Sequence, residues 1–333
     1  MLRFKLVYSD AYYLPIGEHV FPAQKYRLIH QYLLANHIAE PSDFLEPQPA
    51  TDDDILLVHT RDYVDKLRTG MLSAREELTL EVPFSEGLVK AFWLAAGGSI
   101  LAAQRALDDG LAFNIGGGFH HAFPDHGEGF CMIHDVGVAV RRMQHDKRIA
   151  RAMIVDCDVH QGNGTAAMFG EAAAAGTSHP SSSWSAPLFQ PARPVSFNEA
   201  RTCGDVFTIS LHQENNYPAW KPPSCIDVNL PDHTSDAEYL GWLDNALSAG
   251  LRQFEPDLLC YLAGADPYRE DQLGGLDLTM DGLKQRDELV LSVAKSRGIP
   301  VMVTFAGGYA RRVHDTVQIH SNTVIAAKEI FHV

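Results

Sequence analysis

The sequence predicts an α/β fold: one domain with a mostly parallel central sheet flanked by helices on both faces. Two observations carry this. Short, continuous apolar runs alternate with longer helical patterns along the chain, as strands do when crossover helices bury both sheet faces. Several of these runs stop abruptly in glycine-rich or polar residues, as strands do where a parallel sheet opens onto a ligand. No linker and no internal repeat divides the 333 residues, so residues 1–333 read as a single domain.

In chain order, Met1 to Ser9 reads as a first strand with its apolar run at Phe4 to Tyr8. It lacks the charged-then-apolar build of a signal peptide. Leu88 to Leu107 has a helical pattern, and Ala112 to Ile115 is a strand running into Gly116-Gly117-Gly118-Phe119-His120. Ala152 to Val155 is a strand leading to Asp158-Val159-His160. The stretch Glu171 to Cys203 is rich in Ala, Ser and Pro without a period, and reads as a long surface insertion. It follows the short helix after His160, which in a right-handed βαβ unit runs back toward the strands' N-terminal ends. The insertion is therefore expected away from the pocket mouth. Val206 to Leu211 is a strand and Asp236 to Phe254 a helix. Leu258 to Leu262 leads into Gly264-Ala265-Asp266, and Ile299 to Thr304 into Gly307-Gly308-Tyr309. Separate strand ends thus converge on one expected pocket.

Composition narrows the function. Hydrophobic residues make up 46% and charged residues 21%, ordinary values for a chain with a sizeable core. Lys+Arg 27 against Asp+Glu 42 leaves a net charge of -15, which disfavours direct nucleic-acid binding or attraction to an anionic membrane. No run is expected to span a membrane. The cysteines Cys131, Cys157, Cys203, Cys225 and Cys260 are scattered, odd in number and without a CxxC pair, which fits a reduced, cytoplasmic setting.

The chemistry sits at the strand ends. Asp156, Asp158 and His160 alternate, so on a strand they share one face. Two buried carboxylates on one face need compensation, and a divalent cation supplies it. A salt-bridge cluster or a helix cap is the competing reading, and spacing does not say which Asp would bind the cation. Asp266 is a candidate third ligand, although a Gly-Ala-Asp-Pro turn also reads as a helix entry. His120 and His121 follow three glycines that permit close backbone approach, and adjacent imidazoles can move protons near neutral pH. Tyr309 after Gly307-Gly308 could offer a phenolic donor. The combination points to metal-assisted hydrolysis.

The motifs Gly-Gly-Gly-Phe-His-His-Ala, Gly-Phe-Cys-Met-Ile-His-Asp-Val, Val-Asp-Cys-Asp-Val-His-Gln-Gly-Asn-Gly-Thr, Ala-Gly-Ala-Asp-Pro and Gly-Gly-Tyr span most of the chain. In this order they resemble the zinc-dependent histone deacetylase family, of the arginase-deacetylase fold. His59-Thr60-Arg61-Asp62-Tyr63 and Ser210-Leu211-His212 also fit. Gln161 and the run Asp271 to Leu276 most resemble the class IV branch and its bacterial relatives. The resemblance implies that Asp158, His160 and Asp266 hold Zn²⁺, with Fe²⁺ also suited to an oxygen-rich ligand set. It implies His121 as general base toward the attacking water and His120 as its proton-donating or electrostatic partner. Asp156 would orient His120, Asn163 would orient His121, and Tyr309 would donate to the oxyanion. Phe130 and Tyr217 would wall a narrow tunnel, Gly129 would offer its carbonyl to the substrate amide, and Leu273 would line the mouth. Arg27 would sit at an inner exit channel, and Glu81 would stand as the acidic rim residue. Structural K⁺ is implied near Asp156 to His160 and Ser210-Leu211.

His134 stands where such relatives usually carry Asn, and the insertion is not typical of them. Gly264 occupies a position where a binuclear, arginase-like site would need Asp, so one metal is expected. The expected activity is hydrolysis of an N-acyl amide on an acylated lysine side chain. A small acylated amine, as for an acetylpolyamine deacetylase, is the alternative substrate. An inactive acyl-lysine binder is the alternative from another class, disfavoured by the intact set of ligands, bases and tyrosine.

Overall fold

The central strands are apolar at consecutive positions because helices cover both faces of the sheet. The computed structural model describes residues 1–170 and 203–331. Its eight strands are β1 (Lys5–Val7), β2 (Phe44–Leu45), β3 (Leu111–Asn114), β4 (Ala152–Asp156), β5 (Val206–Gln213), β6 (Ile226–Leu230), β7 (Leu258–Leu262) and β8 (Val301–Thr304). All pair in parallel, in the order β2-β1-β3-β8-β7-β4-β5-β6. The helices are α1 (Lys25–Ala35), α2 (Asp52–Ile55), α3 (Arg61–Thr69), α4 (Ala74–Leu80), α5 (Glu86–Asp109), α6 (Asp135–His145), α7 (Asn163–Phe169), α8 (Asp236–Gln253), α9 (Met280–Ser296) and α10 (Val313–Ile330).

Strand alternation divides the core between the two faces. Ala152, Ile154, Leu258, Cys260 and Met302 pack with Ala102, Ala103 and Ala106 of α5 and Val136, Val140 and Met143 of α6. Their neighbours Met153, Val155, Leu259, Tyr261, Val301 and Val303 belong to the larger cluster, with Leu243 of α8, Leu291 of α9, Val324 of α10 and Leu33 of α1. Each such fully buried aliphatic side chain contributes roughly 1.5–3 kcal/mol relative to exposure. Side-chain caps set where helices begin: Ser85 accepts from Leu88 N–H at the start of α5, and Thr279 from Gly282 N–H at the start of α9.

The parallel α/β architecture is as the sequence predicts, with differences in detail. β2 has only two residues, and β6 is half-buried and alternating, so neither gives a continuous apolar run. β4 ends at Asp156, so Asp158 and His160 lie in the loop beyond the strand rather than on its face. By length and composition α5 is apolar enough to cross a membrane, contrary to the expectation that no segment is; 72% of its most apolar window is buried inside the protein. Cys203 and Cys225 form a disulfide, where the cysteine pattern is read above as fitting a reduced setting. They precede β5 and β6, neighbours in the sheet, so proximity comes from strand pairing rather than from a local motif. Cys131, Cys157 and Cys260 are free and buried. The expected insertion at 171–203 lies, apart from Cys203, outside the described residues.

Candidate active site

The motif-bearing ends belong to β3, β8, β7 and β4, four consecutive strands in the sheet. Their C-terminal loops therefore open side by side, and a partly open cavity lies at the loops after β3, β4 and β8. Its lining includes His120, His121, Phe130, Asp158 and Tyr309.

After β3 the chain turns through Gly117 (φ +97) and Gly118 (φ +87), conformations that favour glycine. A Cβ on Gly118 would lie 2.7 Å from Ala306 Cα in the loop after β8, so the two loops meet only because that atom is missing. The buried carboxylate of Asp135 accepts from Gly118 N–H, Phe119 N–H and the Ser99 hydroxyl, tying the glycine turn to α5 and α6. This turn delivers His120 and His121 to the cavity.

The two imidazoles differ through their partners. His120 Nδ1 lies 2.7 Å from Asp156 Oδ2. Burial opposes its charge, but Asp156 and Asp158 outweigh burial and raise its pKa to about 9. His121 Nδ1 lies 2.7 Å from Asn163 Oδ1, and burial together with the neighbouring His120 and His160 holds its pKa well below the ordinary value. An amide oxygen only accepts, so Nδ1 carries the proton and Nε2 keeps its lone pair. The pair thus joins an imidazole that favours the charged form to one that is neutral, with its lone pair at Nε2.

Asp158, His160 and Asp266 offer ligand atoms all within 4.8 Å of one another, and all three residues are buried. Asp158 is fixed by Gly307 N–H donating to Oδ2 at 2.8 Å and His160 N–H donating to Oδ1 at 3.0 Å. Asp266 Oδ1 accepts from Val159 N–H, whereas its buried Oδ2 has no hydrogen-bond donor; its nearest cationic neighbour is His160 Nδ1 at 3.4 Å. Burial and the charge of Asp158 raise the Asp266 pKa to about 7. An unpaired buried carboxylate oxygen beside a second carboxylate and an imidazole fits a divalent cation of mixed oxygen and nitrogen preference.

Tyr309 reaches the same cavity from β8. Its N–H donates to Asp271 Oδ2 at 2.6 Å, and its ring packs edge-on against Phe130 at 6.1 Å and His160 at 6.3 Å. Phe130 and Gly129 occupy a tight turn, with φ +68 and +51, between the paired residues Glu128 and Cys131. A Cβ on Gly129 would come within 2.9 Å of His121. Tyr217 stacks edge-on against His121 at 5.0 Å but is not part of the cavity lining. Leu273 is half-buried and also outside the lining; its carbonyl accepts from Asn216 Nδ2 at 2.7 Å.

Arg27 does not reach an inner channel. It is exposed and faces Asp10 at 3.5 Å, because it lies on the outer side of α1. The inner position is held by Lys25, fully buried, whose Nζ donates to Ala306 O at 2.6 Å and lies over the Phe21 ring. Burial lowers the Lys25 pKa to about 8, against the pull of Asp266 and Asp158. Glu81 ends α4 and is exposed. His134 does not join the Asp158-His160-Asp266 group: its Nδ1 accepts from Gly137 N–H to cap α6, and its Nε2 meets Thr165 Oγ1 at 2.8 Å. Lys25, Asp135 and Glu128 are the site residues that sequence reasoning missed. Glu128 Oε1 accepts from both Asn163 Nδ2 at 2.7 Å and the Tyr217 hydroxyl at 2.5 Å. Its only sequence signal is a charge between two glycines.

Known proteins resemble the chain over most of its length. The histone deacetylase domain model matches residues 19–324. An uncharacterized protein of Picosynechococcus sp. is 38% identical over 331 residues, covering 99% of this chain and 100% of that protein. Histone deacetylase 2 of Arabidopsis thaliana is 30% identical over 95% of this chain and 78% of its own length. The acetoin utilization protein AcuC of Bacillus subtilis is 27% identical over 86% of this chain and 72% of its own length. The crystal structure of an HDAC homologue from Aquifex aeolicus shares the fold, with a TM-score of 0.75 at 23% identity over 99% of this chain and 84% of that one. With the family domain matched over residues 19–324 and a histone deacetylase 30% identical over 95% of this chain, the chain belongs to the histone deacetylase family.

Proposed function

We propose that the protein hydrolyses the amide of an acylated lysine side chain with the help of one divalent metal. The observation that carries the reading is one cavity lined by His120, His121, Tyr309 and Asp158, with His160 and Asp266 grouped behind Asp158 and outside the lining. Asp158, His160 and Asp266 would hold the ion, with Zn²⁺ preferred and Fe²⁺ also suited. A bound divalent ion supplies Lewis-acid polarisation of a carbonyl and of water. His121, neutral with Nε2 free of Asn163, takes the proton from the attacking water. His120, held in its charged form by Asp156, stabilises negative charge and gives a proton to the leaving amine. Tyr309 keeps its proton because burial, then Asp158 and Asp266, push its pKa well up, and it donates to the developing oxyanion. Phe130 and Tyr217 wall the alkyl chain, Gly129 O takes the substrate N–H, and Leu273 borders the entry. Asp156 lies opposite Ser210 in the pairing of β4 with β5, and a structural K⁺ would draw on carbonyls of those two segments.

A small acylated amine is the second reading. Glu81 and Glu128 are close enough for the charge of Glu128 to add to burial in raising the Glu81 pKa, an acidic setting suited to a cationic substrate. Turnover of a panel of acyl-lysine peptides and acetylpolyamines by the Zn²⁺-loaded protein tests both. The proposal expects peptide hydrolysis that chelator abolishes. Exclusive polyamine turnover would favour the second reading, and no turnover of either would overturn both.

A further inference from the structure

The nitrogen of His121 that carries the proton is decided by a residue that does not touch it. Asn163 stands between His121 and Glu128, with Oδ1 2.7 Å from His121 Nδ1 and Nδ2 2.7 Å from Glu128 Oε1. An amide can turn over and exchange its oxygen for its nitrogen, and the turned form would aim N–H groups at His121. Nδ1 would then have to accept, the proton would move to Nε2, and the lone pair would be lost from the nitrogen left for chemistry. Glu128 decides between the two. A carboxylate only accepts, so it selects the form with Nδ2 toward itself and Oδ1 toward the imidazole. Gly164 N–H, 3.1 Å from Oδ1, works in the same direction but from the adjacent residue.

Glu128 is held for this task. Its backbone pairs with Cys131 across the turn that carries Gly129 and Phe130, with Cys131 N–H donating to Glu128 O at 2.8 Å and Glu128 N–H to Cys131 O at 3.1 Å. Its Oε1 also accepts from the Tyr217 hydroxyl at 2.5 Å, and its Oε2 lies 3.7 Å from His126 Nε2. The side chain is 15% exposed, so water competes little for Oε1.

We propose that Glu128 is a positioning residue of the base: through Asn163 it fixes the Nδ1–H tautomer of His121, and with the same oxygen it anchors Tyr217 against the His121 ring. This rests on the deacylation reading for its consequence in turnover, but not for the tautomer itself. The arrangement divides the negative charge differently for the two histidines. His120 has a carboxylate in direct contact, whereas His121 has one relayed through a neutral amide, which fixes orientation while leaving the ring neutral.

The test is a swap of acceptor. In Glu128→Ala the amide is free to turn, and kcat on an acetyl-lysine amide falls about 10–100-fold, the usual consequence of losing a group that orients a reacting residue. KM stays within a few-fold. Glu128→Gln keeps an acceptor oxygen and recovers most of kcat. Asn163→Asp alone sets two carboxylates against each other and loses activity. Combined with Glu128→Ala it recovers the Nδ1–H form, because an aspartate offers only oxygen to His121 whichever way it turns. Nitrogen-15 spectra of the metal-loaded protein, with the His121 signals identified by their loss in His121→Ala, show Nδ1–H in the wild type and a shift toward Nε2–H in Glu128→Ala. The proposal is overturned if the tautomer is unchanged in Glu128→Ala, if Glu128→Gln is as impaired as Glu128→Ala, or if the double variant holds no more of the Nδ1–H form than Glu128→Ala. A wild-type protein inert toward every acyl amide would overturn the deacylation reading and leave the spectra to decide on Glu128.

Discussion

Replacing His134 by Asn should make the protein less sensitive to acid. The imidazole is fully buried; its Nδ1 accepts the Gly137 N–H at 3.0 Å and its Nε2–H is left to donate to Thr165 Oγ1 at 2.8 Å. No nitrogen is free for a second proton without breaking the cap of α6. Burial first, then the charges of His59 and His120, lower its pKa to about 3. The unfolded chain protonates this group near pH ~6.5. Because the folded pKa is depressed, the stability that neutral His134 allows is intact above pH ~6.5 and is lost progressively as pH falls toward 3. The loss approaches ~1.4 kcal/mol per pH unit and amounts to about 2 kcal/mol at pH 5. For a chain of this length that is a Tm difference of about 3 °C. Asn offers an acceptor for Gly137 N–H and does not titrate, so its variant lacks this slope, whatever stability it loses at pH 7 from reduced packing. Melting curves of both proteins from pH 7.5 to 5 measure the slope. Equal slopes would mean that His134 is not held neutral, and the reasoning from its two hydrogen bonds would fail.

Other consequences follow from the site. Gly118→Ala forces a Cβ to within 2.7 Å of Ala306 at φ +87 and should destabilise by about 1–3 kcal/mol in urea unfolding; an unchanged midpoint would deny the close approach. Zn²⁺ at about 100 times its Kd should stabilise the protein by ~2.7 kcal/mol, a Tm rise of about 4 °C, and Asp266→Ala should show no rise. His121→Ala should lower kcat by roughly 10²–10⁴-fold and Tyr309→Phe by roughly 10²–10³-fold, and wild-type kcat in Tyr309→Phe would remove the oxyanion role.

What the sequence revealed depended on how local each signal is. Leu258–Leu262 and the run from Ala152 to Val155 were legible because burial on both faces leaves no polar residue to interrupt them. Ile226–Leu230 was not, because its alternate residues are only half-buried at the sheet edge. Asp156, Asp158 and His160 were found from alternation, yet the strand stops at Asp156. Their grouping is set instead by Asp156 Oδ1 and Asp158 Oδ1 accepting from the backbone N–H two residues on. Lys25, Glu128 and Asp135 escaped because their meaning lies in partners far along the chain: Ala306, Asn163 and Gly118. Arg27 was misplaced for a related reason, since two residues along α1 turn a side chain from the core to its outer side.

Metal content measured together with turnover tests the central claim most directly. The wild-type protein, reconstituted with Zn²⁺ and desalted, should hold one metal per chain and hydrolyse a fluorogenic acetyl-lysine amide. Asp158→Ala and Asp266→Ala should lose metal and activity together while their circular dichroism stays that of the wild type. Two tightly bound metals per chain, or full hydrolysis in excess chelator, would contradict the account.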